Sequence, residues 1–293
     1  MCLRICYRFL VCCLVWQSLF ISAARADAPI IDHRTLFHPV VGRAGMVSSQ
    51  EALATAVGQD ILRQGGNAVD AAVAVGFALA VTLPKAGNIG GGGFMLAHIA
   101  ALDKTIAIDY REMAPAQAHA EMFEDSSGNV DNHLARNTHH SAGVPGTVMG
   151  LFYALEQYGT LPAETLIAPA IQLAEEGFVL SEALASELAS RRKQLSRSSA
   201  GKKIFFKTDG SAFDAGERFV QKDLAWSLRQ IAKHGAEAFY EGAIAKKIVK
   251  DAKRHKGLMT AADLANYTVA ERAPISGRYR GHEIISMPPS SSG

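Results

Sequence analysis

The sequence predicts a mixed α/β (α+β) fold, and three observations carry that reading. Two helix-patterned stretches follow one another between Ser48 and Pro84. Four consecutive glycines, Gly90 to Gly93, then open two short apolar runs, Phe94 to Ala101 and Thr105 to Tyr110, which read as strands joined at Asp103-Lys104. After a long helical middle, the pattern turns back to β between Tyr267 and Met287.

In chain order, Ser48 with Glu51 three residues on has the spacing of a capping box, and Ala52, Leu53, Ala56, Val57, Ile61 and Leu62 recur at helical intervals until Gly65-Gly66. Asn67 with Asp70 starts a second helix, apolar on every side from Ala68 to Leu83, as expected of a helix buried on every side. The glycine run removes every Cβ from one turn of chain, which permits φ > 0 or the close approach of another group. A helical patch is expected around Ala118 to Phe123, then a polar loop from Asp125 to His140. Gly143-Val144-Pro145-Gly146 reads as a turn, with Thr147 capping a helix to Gln157. Pro162 opens a helix to Glu176, and Ser181 caps another that frays at Ser196-Arg197-Ser198-Ser199. Ile204-Phe205-Phe206 reads as a short strand. Helices follow over Asp223–His234 and Glu237–His255, and Thr260 with Asp263 caps one more through Asn266. In the final β region Ser276-Gly277 and Arg280-Gly281 read as breaks, with Glu283 to Met287 as the last strand.

The 293 residues, 48% of them hydrophobic, suit a packed globular protein. Arg4 and Arg8 precede an apolar run from Phe9 to Ala24, and Ala24-Arg25-Ala26 is a small-x-small cleavage site. Residues 1–26 therefore read as a secretory signal peptide and 27–293 as one continuous domain, exported to the periplasm or medium and free of the membrane once the signal is removed. Losing the three leader arginines turns a net charge of +2 into −1, too little positive field to draw in nucleic acid. All four cysteines (Cys2, Cys6, Cys12, Cys13) lie in the leader, so the mature chain is expected to have no disulfide, thiolate nucleophile or cysteine metal ligand.

The glycine run fits no phosphate-binding motif, because it follows a helix and enters a strand. Arg111, at the end of the second strand, reads either as a surface arginine or as a bidentate clamp on a carboxylate, its fork oriented by Asp109 and Glu112. His133, His139 and His140 share a polar loop without metal-ligand spacing. Arg191-Arg192-Lys193 and the stripe Lys246, Lys250, Lys253 and Arg254 read as solvated helix faces. Ser290-Ser291-Ser292 lacks a nucleophile elbow.

Several stretches together resemble the γ-glutamyltransferase (γ-glutamyltranspeptidase) family, in family order: Gly65 to Ala74, Ala86 to Leu96, Asp109-Tyr110-Arg111-Glu112-Met113-Ala114-Pro115-Ala116, Val144-Pro145-Gly146-Thr147, and Met287 to Gly293. The resemblance implies an N-terminal-nucleophile hydrolase with an αββα four-layer sandwich, incomplete in this chain. It implies a precursor that cuts itself into a large and a small subunit, exposing a threonine that attacks the γ-glutamyl amide of glutathione and passes the acyl group to water or to an amino-acid or peptide acceptor. It assigns Arg111 to the α-carboxylate of the γ-glutamyl group and implies neither metal nor organic cofactor. Ser290 stands where the family usually has a third proline. The threonine and the small subunit lie beyond Gly293 in the family, so no catalytic residue is assigned here and these residues alone are expected to be inactive. Two alternatives stay open: a related acylase acting on cephalosporin-like or poly-γ-glutamate amides, and a non-catalytic exported binding protein that captures an amino-acid carboxylate.

Overall fold

The computed structural model describes residues 40–292, so the leader, its cysteines and its cleavage site lie outside the described residues. Residues 40–44 belong to a first unit and carry no regular secondary structure; the second unit, Gly45–Gly293, holds every element below.

Two helices open it, α1 (Ala52–Arg63) and α2 (Ala68–Thr82), packed on each other. The cap of α1 is Glu51, whose Oε2 accepts the Ala54 N–H at 2.9 Å; Ser49, rather than Ser48, bonds to Thr55. The cap of α2 is the expected reciprocal box of Asn67 and Asp70. Most of α2 is buried, but not on every side as expected: along one stripe Ala68 and Ala72 are exposed and Val75, Gly76 and Leu79 half-buried, while a Cβ on Gly76 would sit 3.1 Å from Leu151. Phe77 meets Phe152 edge to face at the core, with Ile106, Ile108, Leu166 and Leu228 around them.

Strands β1 (Phe94–Ile99) and β2 (Lys104–Asp109) form an antiparallel hairpin in the register Phe94↔Asp109 to Ile99↔Lys104, closed by a 3₁₀ turn over Ala100–Leu102. The centre of this three-stranded sheet is β2, because β5 (Ala270–Arg272) pairs antiparallel on its other side. Glu271 on β5 fastens the sheet edge: it accepts from Lys104 Nζ (3.0 Å), Tyr158 Oη (2.8 Å) and Tyr153 Oη (3.1 Å).

Ala118 to Phe123 is a series of turns rather than a helix, and the polar loop contains α3 (Asn132–Asn137), capped by Asp131, and a 3₁₀ turn at His139–Ser141. Helices α4 (Thr147–Tyr158) and α5 (Ala163–Glu176) follow. Then come β3 (Phe178–Val179), α6 (Glu182–Ser190) capped by Ser181, α7 (Arg192–Leu195) and α8 (Ser199–Phe205) capped by Ser198. The triplet at 204–206, expected as a strand, instead ends α8, with Phe205 stacked on Phe219 at 6.1 Å between ring centroids. An apolar run that short has no periodicity of its own, and the upstream serine cap decides its conformation.

Strand β4 (Arg218–Phe219) pairs with β3, and α9 (Lys222–His234) packs on α5. The helix expected over 237–255 divides into α10 (Glu237–Tyr240) and α11 (Ala243–Arg254) at Gly242, where a Cβ would meet the Ala238 carbonyl oxygen at 2.9 Å. Helix α12 (Ala261–Ala265) carries the expected Thr260–Asp263 box. A hairpin of β6 (Ile275–Tyr279) and β7 (His282–Ser286) turns at Arg280-Gly281, both at positive φ. Gly277 is not a break but pairs with Ile284 inside this exposed ladder. Among the described residues no helix is long and apolar enough to cross a membrane.

Candidate active site

The glycine turn is shaped by close approach. None of Gly90 to Gly93 has positive φ. A Cβ on Gly92 would lie 2.7 Å from both the Glu112 nitrogen and the Tyr110 oxygen, and one on Gly93 would lie 2.7 Å from the Tyr110 ring. The hairpin ladder continues through the turn by paired bonds between Gly93 and Tyr110, 3.2 and 3.1 Å long. Gly91 uses its carbonyl to cap α4, accepting the N–H groups of Gly146 (2.7 Å) and Thr147 (3.0 Å). Gly146, not the expected Thr147, is the N-cap; the Thr147 hydroxyl donates to Asn88 Oδ1 at 2.6 Å, which also accepts the Gly91 N–H at 2.8 Å. Glycine turn, helix terminus and strand end are one hydrogen-bonded unit.

Three tyrosines support it from beneath. Tyr110 is buried against Gly150, and burial pushes its phenol up to about 12. Tyr240 donates to the Pro145 carbonyl (2.9 Å) and stacks on Tyr267 at 5.7 Å between centroids. Tyr267 donates to the Arg111 carbonyl at 2.9 Å. Burial raises the phenols of Tyr240 and Tyr267 as well, so these groups act as neutral hydrogen-bond donors at physiological pH.

On this platform the Arg111 side chain is exposed and lines an open cleft of about 480 Å³ with Glu112, Met113, Phe123, His140 and Gly143. Its backbone is fixed on both sides: its N–H donates to Asp109 Oδ1 (3.1 Å) and its carbonyl accepts from Tyr267. Among the described residues its guanidinium makes one hydrogen bond, from Nη1 to the Ser290 carbonyl at 3.2 Å. The Nε–Nη2 edge therefore keeps two parallel donors for a planar anion.

The expected orienting roles of Asp109 and Glu112 are not what the structure shows. Asp109, 8% exposed, spends its second oxygen on Arg272 Nε at 2.7 Å, and Glu112 bonds neither the fork nor any other described side chain. The fork is positioned by Ser290, 179 residues away, and the backbone by Tyr267, 156 residues away. Neither pairing has a local sequence signal, although Ser290 lies in one of the stretches on which the resemblance rests. The three histidines of the polar loop part company: His133 sits on α3, His140 joins the cleft wall, and His139 reaches α11. The stripes at 191–193 and at 246, 250, 253 and 254 are exposed, as expected of solvated faces.

A model of the gamma-glutamyltranspeptidase family matches residues 54–293. The glutathione hydrolase proenzyme of Escherichia coli (strain K12) is 46% identical over 289 residues, 98% of this chain and 50% of that protein. The acylase ACY 1 proenzyme of Pseudomonas sp. (strain SE83) is 40% identical over 261 residues, 87% of this chain and 46% of that protein. The crystal structure of Helicobacter pylori gamma-glutamyltranspeptidase superposes with a TM-score of 0.85 at 47% identity, covering 87% of this chain and 73% of that one. The chain spans about half the length of the curated relatives it matches. Its mixed α/β architecture is that of the N-terminal-nucleophile hydrolases among these neighbours, in the large-subunit portion. The chain therefore belongs to the gamma-glutamyltranspeptidase family.

Proposed function

We propose that this chain forms the substrate-anchoring part of an exported glutathione hydrolase and γ-glutamyltransferase. Arg111 carries the reading. Its Nε–Nη2 edge faces no protein acceptor among the described residues, and its backbone is held by Asp109 and Tyr267. That edge matches the two oxygens of an α-carboxylate, and the cleft wall of Met113 and Phe123 suits the methylene chain of a γ-glutamyl group. The γ-glutamyl amide carbonyl of glutathione, so held, is attacked by the hydroxyl of a threonine carried on a small subunit beyond residue 293. The C–N bond breaks, the protonated cysteinylglycine amine leaves, and the acyl group passes from the threonine to water or to an amino-acid or peptide acceptor. The E. coli relative's description as a glutathione hydrolase proenzyme supports both the substrate and the precursor. Export rests on the leader pattern of residues 1–26.

In the protein expressed from its own gene, Arg111→Lys is expected to lower kcat/KM for glutathione by roughly thirtyfold, about 2 kcal/mol, chiefly through KM. An unchanged kcat/KM would remove the anchor. The 293 residues alone are expected to release no γ-glutamyl product above background. A second reading, an acylase of the same fold, is favoured by the similarity to acylase ACY 1. Parallel assays with glutathione and with a β-lactam side-chain amide separate the two.

A further inference from the structure

We propose that His139, Asp251 and His255 form a binding site for a late first-row divalent cation such as Zn²⁺, apart from the Arg111 fork. His139 lies on the 3₁₀ turn after α3, Asp251 in the last turn of α11, and His255 one helical turn further on. The i, i+4 spacing of Asp251 and His255 puts both on one helix face, and the third ligand comes from 112 residues away. The two imidazoles are stacked 4.4 Å apart at 15°. Each turns a nitrogen to the same carboxylate: His139 Nε2 is 2.9 Å from Asp251 Oδ2 and His255 Nδ1 is 3.3 Å from Oδ1. One ligand atom from each residue falls within 4.8 Å of the other two.

An ion held at about 2.0–2.2 Å from nitrogen and carboxylate oxygen separates its tetrahedral ligands by roughly 3.3–3.5 Å. The observed separations are near enough for rotamer-scale adjustments to close three donors on one ion. Two imidazoles and one carboxylate select zinc, nickel or copper over calcium and magnesium, which require oxygen sets. His255 Nδ1 also lies 3.0 Å from the Asp251 carbonyl, a contact that keeps the ring on this helix face and that the nitrogen would give up, with its proton, on becoming a ligand. The three side chains are 41%, 58% and 47% exposed, so water reaches the site and would complete the coordination. Lys250, Lys253, Arg254 and Lys256 surround it in sequence and oppose a cation, which sets the expected affinity in the micromolar range. Next in sequence to His139, residues 140–143 line the Arg111 cleft, so an ion here would clamp that wall to α11.

The test is calorimetric titration of the purified, tag-free protein with Zn²⁺ alone. One equivalent is expected to bind in the micromolar range. The His139→Ala and His255→Ala variants should each weaken it about tenfold or more, and Asp251→Asn should do the same with circular dichroism unchanged. His119→Ala, which alters a histidine paired with Glu121 outside the cluster, should leave binding intact. Absence of zinc binding, wild-type affinity in the His139→Ala, His255→Ala double variant, or equal affinity for Ca²⁺ would each overturn the proposal.

Discussion

At the start of α2 one carboxylate holds four donors; at the end of β2 one guanidinium with five donors is met by a single acceptor. Asp70 is fully buried and accepts from the Asn67 N–H (2.8 Å), the Thr160 N–H (2.9 Å) and hydroxyl (2.6 Å) and the Leu161 N–H (3.2 Å). Burial raises its carboxyl, but those bonds, led by Thr160, outweigh it and hold the group below its ordinary value. Arg111 is exposed and mostly unpaired. The contrast separates two uses of charge: one closed inside the protein to fix a helix start and the connection from α4 to α5, the other left open for a ligand.

The largest effect should come from breaking the closed side. Asp70→Ala takes the shared acceptor from four donors on Asn67, Thr160 and Leu161, residues that are half-buried or exposed, and is expected to cost about 3 kcal/mol in urea denaturation; a loss under about 1 kcal/mol would mean the knot is dispensable. Because the Asp70 carboxyl is depressed on folding, its contribution is complete above the unfolded value near about 3.9 and is lost as pH falls through the lower folded value. Acid titration of stability should therefore be shallower below about pH 4 in Asp70→Asn than in wild type.

Next comes the platform under Arg111. In Gly146→Ala the new methyl would fall 2.0 Å from the Tyr110 carbonyl oxygen and 2.1 Å from the Tyr267 hydroxyl. A cost of about 2–3 kcal/mol, with activity lost in parallel, is expected. Arg272→Ala, which leaves one oxygen of the buried Asp109 carboxylate without its half-exposed partner, should cost about 1–2 kcal/mol. On the open side, Arg111→Ala should shift the urea midpoint by less than about 0.5 kcal/mol equivalent while abolishing most turnover. A large stability loss there would turn Arg111 into a structural residue and erase the comparison.

The closed side could be read from sequence because its information is local. Asn67 and Asp70, and again Thr260 and Asp263, specify a helix start within four residues, and the apolar character of 68–83 announces a mostly buried helix, although its stripe through Ala68, Ala72 and Gly76 is open to solvent in part. Arg111 was legible as a residue at a strand end, but its surroundings were not. Ser290, Tyr267 and the Arg272 partner of Asp109 arrive through pairings across more than 150 residues, set by β5 joining β2 and by the chain after β7. Local rules also erred where two caps competed: Glu51 displaced Ser48, and Ser198 extended helix into the apolar triplet at 204–206.

The Gly91 carbonyl, which takes both N–H groups at the start of α4, bears on how substrate preference can evolve. Any change that moves the glycine turn also uncaps a core helix, so the turn that packs against Tyr110 and Glu112 is closed to gradual adaptation. Met113, Phe123 and His140, which line the cleft itself, are free of that obligation. A mutagenesis library confined to those three positions should yield folded variants with altered acyl-group choice far more often than one directed at Gly90 to Gly93.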